Sequence, residues 1–311
     1  MRRVLLLLLT VGLAVVSCGP SKHAVHVEMR HPSRTGVDLL GKNVAVVYLE
    51  NDDALSSGFC ESMADGFAYT LEQDNGPATK VDIFRMRYTL GADYSRKDSL
   101  FNILMDTGSD VVFLFDTVKF GSMTVGGPSK VSAPSSRDSS FISSGTVSYT
   151  MKLYCYDGMG KEDKVQHYGG TSMARPTVYS NGKDDSTIAT AKAWKALATE
   201  GWDAGLLVAD AFKAQWKHEQ YSIVYYDGEK WYDSLEMAER HDWKGAMEIW
   251  MELLSTNDLM KRSCAEFNIS VACYMLGDYA LAIEWLNLSD KHNKLPISEA
   301  MRKRINLRLN R

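Results

Sequence analysis

Gly170-Thr171-Ser172-Met173-Ala174-Arg175-Pro176 offers a serine that, on a helix N-terminus, could be held as a nucleophile. That chemistry needs a histidine base within hydrogen-bond reach and an aspartate to orient the imidazole. His167 is the only histidine between His31 and Ser172, and it stands five residues away in a Tyr-Gly context. Asp106-Thr107-Gly108-Ser109 offers a carboxylate ahead of the apolar run Val111–Phe115. Acid–base work by carboxylates needs two of them sharing a proton, and no second Asp-Thr/Ser-Gly occurs. Beyond Cys18, the cysteines are Cys60, Cys155, Cys264 and Cys273. An even count permits disulfides without demanding them. Cys264 and Cys273 are nine residues apart on one predicted helix, which puts them on opposite faces and precludes local pairing. No CxxC, HExxH, P-loop or GxGxxG is present, and the seven histidines are dispersed.

The serine segment resembles the start of the subtilase serine motif, and Asp106–Ser109 resembles the aspartic-protease signature. Both resemblances break off. Tyr179 and Ser180 stand where small residues should continue the subtilase helix, and that family's His-Gly-Thr/Ser segment is missing. The Asp106 segment has no partner lobe and follows helical spacing. The residues therefore read as a Gly-rich turn around Ser172, and as a helix ending at Gly108 with Asp110 opening a strand. No residue is assigned to catalysis, to a cofactor or to a metal.

The elements around these segments belong to an ordinary globular chain. Its 311 residues, 45% hydrophobic and 24% charged, suggest about two domains with real cores. A net charge of -4 and a pI near 6.0 supply no basic field, which excludes a nucleic-acid partner. Lys42–Leu49, Val81–Met86 and Asp110–Phe115 are predicted strands, separated by helical spacing over Ser57–Glu72 and Asp98–Met105. Ser56 or Ser57 is the expected cap of the first helix. Residues 122–144 read as a loop. Thr146–Tyr156 alternates as a strand, with a return strand near Val165–Tyr168. Ser186–Trp216 reads as an Ala-rich helix interrupted near Gly201 or Gly205, and Tyr221–Tyr226 as a last strand. The opening pattern resembles envelope domains such as the N-terminal domain of the Tol translocation protein, the curli secretion lipoprotein and lipoprotein activators of penicillin-binding proteins. That resemblance implies a fold and no activity.

At the N-terminus, Arg2 and Arg3 precede an apolar block from Val4 to Val16, a signal-peptide pattern too short to span a bilayer comfortably. Val15-Val16-Ser17-Cys18-Gly19 resembles a bacterial lipobox. The resemblance implies cleavage before Cys18, acylation of that cysteine and, with Gly19 behind it, an outer-membrane destination. Residues 18–40 are expected to be a tether.

The C-terminal third is predicted helical. Trp243, Ala246 and Trp250 are matched by Tyr279, Ala282 and Leu286, each 36 residues later, with Asp242 and Asp278 before them. This resembles the tetratricopeptide (TPR) repeat, in which small Ala residues let helices pack closely. Residues Glu299–Arg311 read as a basic capping helix. Together the lipobox, the α/β start and these helices resemble an uncharacterised lipoprotein family of Bacteroidales-type bacteria, which brings no known activity. The expected architecture is a signal peptide over 1–17, the tether over 18–40, an α/β domain over 41–228 and an all-α TPR-like module over 229–311. The expected function is that of a non-enzymatic envelope lipoprotein, held to a membrane through Cys18, that contacts envelope proteins through the helical module. The alternative is an α/β ligand-binding or enzymatic domain with a pocket among loops 122–144 and 169–185.

Overall fold

The computed structural model describes residues 19–76, 79–131, 140–160, 162–180 and 182–309. The chain is α/β followed by an all-helical region, in two compact units. One unit is Arg30–Gln215; the other joins Trp216–Arg311 to the chain up to Met29. These limits differ from the expected boundaries at 40 and 228, because the strand segments 21–29 and 216–225 belong to the helical unit.

In the α/β unit, strand β2 (Val44–Glu50) is central and pairs in parallel with β3 (Val81–Arg87) on one side and β4 (Val111–Phe115) on the other. β4 pairs antiparallel with β8 (Ser140–Asp157), which also carries β5 (Lys119–Phe120), β6 (Thr124–Val125), β7 (Ser129–Val131), β9 (Gln166–Ala174) and β10 (Thr177–Ser180). Helix α1 (Ala54–Asn75) connects β2 to β3, and α2 (Lys97–Thr107) connects β3 to β4. Both faces of β2 are covered, which is why its residues are apolar without alternation. Val44, Val46 and Tyr48 pack with Phe59, Met63, Phe67 and Leu71 of α1. Ala45, Val47 and Leu49 pack on the other face with Leu100 and Leu104 of α2. Each such fully buried large side chain contributes about 1.5–3 kcal/mol.

Several local expectations need correction. Asp53, not Ser56 or Ser57, caps α1, its carboxylate accepting from the Leu55 amide at 3.0 Å. Ser56 is buried and donates to the Val118 carbonyl, while Ser57 donates to the Asn51 carbonyl. The predicted loop over 122–144 holds β6, β7 and the first residues of β8. The predicted 186–216 helical stretch is interrupted where expected, next to Gly201: α3 (Ser186–Leu197) and α4 (Gly201–Ala209) are joined by a short 3-10 turn. The helix ends at Ala209 and not near Trp216. A Cβ on Gly66, Gly201 or Gly205 would fall inside 3.0 Å of the carbonyl of Trp202, Phe59 or Met63 respectively. The glycines are what lets α1 and α4 touch backbone to backbone.

The second unit opens with β1 (Ser21–His31), which pairs with β11 (Gln215–Tyr225) in a two-stranded sheet. The tether reading of 18–40 is therefore overturned from Ser21 to His31. Lys22-His23-Ala24-Val25-His26-Val27 has weak alternation, and only the presence of β11 and buried Val25 makes it a strand. Helices α5 (Glu229–Glu239), α6 (Trp243–Leu253), α7 (Leu259–Met275), α8 (Tyr279–His292) and α9 (Ser298–Leu309) follow, each packed on the next.

Candidate interaction surfaces

The two helical hairpins, α5–α6 and α7–α8, share a joint of the same geometry. His241 and Gly277 take φ of 62° and 86°. His241 is the one non-glycine with positive φ among the described residues, and it stands where the second copy has glycine. In each copy the next two amides bond back in the Schellman pattern, His241 to Ala238 and Asp242 to Met237, Gly277 to Tyr274 and Asp278 to Cys273. Asp242 and Asp278 then cap α6 and α8, accepting from the Gly245 and Leu281 amides at 3.0 and 2.9 Å. Ala246, Trp250, Ala282 and Leu286 are fully buried, Trp243 is buried and Tyr279 is half-buried. The Ala282 carbonyl accepts from Ser270 Oγ at 2.7 Å, a contact between α7 and α8 that a larger residue at 282 would open. Cys18 lies outside the described residues.

Between Ser263 and Tyr274, α7 has no solvent face, although it carries Glu266, Asn268 and Ser270. Glu266 meets Arg262 at 3.2 Å and His292 at 2.7 Å. Asn268 reaches out of the helix to β11: its Oδ1 accepts from the Val224 amide at 2.9 Å and its Nδ2 donates to the Val224 carbonyl at 2.7 Å. One side-chain amide thus replaces a neighbouring strand. Tyr221 of β11 packs against Tyr274, and the Arg304 guanidinium lies over its ring at 4.3 Å. Burial, then hydrogen bonding with Glu219, pushes the Tyr221 phenol well above its ordinary range. β11 is thus tied to α7 through Asn268 at Val224 and to α9 through Arg304 at Gln220. Sequence reasoning missed Asn268. The available signal was an amide side chain in the largely apolar stretch Phe267–Tyr274, which must find a buried partner.

The basic residues of α9 are largely spent inside the unit. Arg302 pairs with Asp290 at 2.7 Å, Arg304 donates to the Gln220 carbonyl, and Arg308 donates to the Tyr274 hydroxyl.

In the α/β unit, the chain turns from β2 into α1 and from β4 toward β5 at the same end of the sheet. Strand order reverses between β2 and β4, the position where open α/β sheets form a crevice. A cleft of about 500 Å³ lies there, lined by Asn51, Asp53, Leu55, Thr117, Lys119, Phe120 and Trp194. The Asp53 carboxylate occupies the α1 N-terminus and accepts from the Leu55 amide, which sets a negative charge where a phosphate would otherwise sit.

Ser172 is not on a turn. It is exposed on β9, opposite Tyr149 of β8, in a shallow cleft with Arg175, Glu200 and Asp203. Burial and the Asp203 charge hold the Glu200 carboxyl above its usual range. No histidine lines that cleft. Asp106 lies in the last turn of α2, which ends with Gly108 at φ 65°. The loops of the alternative reading enclose about 160 Å³ beside Gly126, Pro128, Asp184 and Asp185. Among the described residues no cluster of three His, Cys, Asp or Glu side chains is placed to hold a metal, and no helix is long and apolar enough to cross a membrane.

Residues 232–308 match a domain of unknown function (DUF6340). The DUF6340 segment begins inside α5 and ends inside α9, so it coincides with the helical array and includes Asn268 and Arg304. No curated protein matches the chain. Among solved structures, the PelC dodecamer from Paraburkholderia phytofirmans is 13% identical over 58% of this chain and 98% of that one, with a TM-score of 0.20. The hypothetical protein CT253 from Chlamydia trachomatis is 10% identical over 55% and 96%, with a TM-score of 0.27. Likenesses at these scores carry no argument about function.

Proposed function

We propose that this chain is an envelope lipoprotein, anchored in the outer membrane through Cys18, that works as a non-enzymatic protein-interaction or assembly factor. Its TPR-like helices make the contacts. The observation that carries this reading is the repeated hairpin, with a matching joint, cap and buried Ala in both copies, in an array that already holds an extended strand through Asn268. Helical arrays of this kind gain stability from neighbours and offer extended surfaces. Two variants test it in cells. Cys18→Ala is expected to leave the protein unprocessed or move it to the soluble fraction, and an unchanged detergent-dependent membrane fraction overturns the anchor. Ala282→Phe is expected to cost roughly 1–3 kcal/mol by overpacking and to reduce site-specific cross-linking to partners from α5–α9. Unchanged cross-linking in that destabilised variant overturns the role of the array.

A ligand-binding α/β unit is the second reading, favoured by the cleft at the β2–β4 reversal with Trp194 and Phe120 on its wall. Trp194 fluorescence that responds to a small polar solute, and loses that response in Lys119→Ala, supports it.

A further inference from the structure

β1 begins at Ser21, so only Gly19 and Pro20 separate it from Cys18. Three residue steps span roughly 10 Å when fully extended. The first half of β1 is held against the end of α5. His23 Nε2 lies 2.6 Å from the Glu239 carboxylate, and the His241 ring bonds with the His26 carbonyl at 3.1 Å. The opposite end of the same hairpin is marked by the Lys230–Glu252 pair at 2.8 Å. Helix α5 has 11 residues, so the two ends stand roughly 16 Å apart.

From this juxtaposition we propose that the α5–α6 turn, residues 239–244, rests against the lipid headgroups of the membrane that holds the Cys18 acyl chains. The proposal rests on the lipoprotein reading above. Its occupant is the bilayer and not a protein, because a single helix with side chains is about 10–12 Å across and the link is too short to admit one. Charge agrees: Lys22, Arg240 and Lys244 are exposed at this end. Of the acids there, Glu236 is paired with Arg240, Glu239 with His23, and Asp242 is turned onto the α6 N-terminus, which leaves Lys22 and Lys244 as the cations facing outward. The helical unit then works at the membrane surface and does not reach across the envelope on a leash.

The test uses the full-length acylated protein in phosphatidylglycerol-containing vesicles doped with a headgroup-nitroxide lipid. A thiol-reactive fluorophore is placed at Arg240→Cys or, in a second protein, at Lys230→Cys. The four described cysteines are buried, so labelling is selective. Mass spectrometry of the N-terminal peptide scores acylation separately. The expected result is several-fold stronger quenching at 240 than at 230, and loss of that difference when about 20 flexible Gly-Ser residues are inserted between Gly19 and Pro20. Equal quenching, or stronger quenching at 230, with Cys18 acylated overturns the proposal and leaves the lipoprotein reading standing. A Cys18 without acyl chains overturns both.

Discussion

Asn268 satisfies both backbone groups of Val224 from a helix that has no solvent face. Truncating it strands a buried amide and a buried carbonyl, each costing about 1–3 kcal/mol when unpaired. Asn268→Ala is expected to lower stability by roughly 2–4 kcal/mol, read as a fall in urea midpoint at unchanged slope. A loss below about 0.5 kcal/mol would show that the amide contributes nothing to the clamp. The thiols make a second prediction at this scale. Burial raises Cys60 and Cys264 from 9.0 to about 12 and Cys273 to about 11. Above pH 9 the unfolded chain loses these protons while the folded one keeps them, so stability falls with rising pH. Thermal midpoints are expected to hold up to about pH 9 and to drop through pH 9–12. In the native protein the thiols are expected to resist alkylation at pH 8.

The α1–α4 crossing is an element-scale device. Gly66, Gly201 and Gly205 let two helices meet where any side chain would strike backbone, which cannot rotate away as a flexible side chain could. Gly205→Ala raises intrinsic helix propensity by about 1 kcal/mol, yet it is expected to destabilise by at least roughly 1–3 kcal/mol. A raised melting temperature for Gly205→Ala would refute the close approach. The hairpin joints are the corresponding device in the helical unit. His241 bears the left-handed conformation that Gly277 accepts freely, and its ring is held by the His26 carbonyl and stacked on Trp243.

For the whole molecule, the N-terminal strand matters most. As a tether, residues 21–29 could be deleted without harm. As β1 they pair with β11 and bury Val25 in the helical core. Deleting residues 21–29 is expected to speed amide exchange in β11 and α5 and to lower the melting temperature of the chain. Unaltered exchange in those elements would restore the tether reading.

Local pattern by itself determined the central strands, the first two helices and the 36-residue repeat, because burial on both sheet faces and close helix packing impose strong residue choices over short spans. The continuous apolar run Val44–Leu49 and the paired Trp243/Tyr279 and Ala246/Ala282 positions carry that signal in their own order. Tertiary structure decided the rest. Ser21–His31 has weak periodicity and becomes a strand only because β11 supplies its hydrogen bonds. The return strand expected near Val165–Tyr168 runs on through Ala174 because β8 pairs with it. Asn268 acquires its role from a strand 44 residues away. The clefts likewise join residues remote in sequence, Asn51 with Thr117 and Trp194, and Ser172 with Glu200. Contacts of that range depend on which surfaces meet after burial, and no local spacing encodes them.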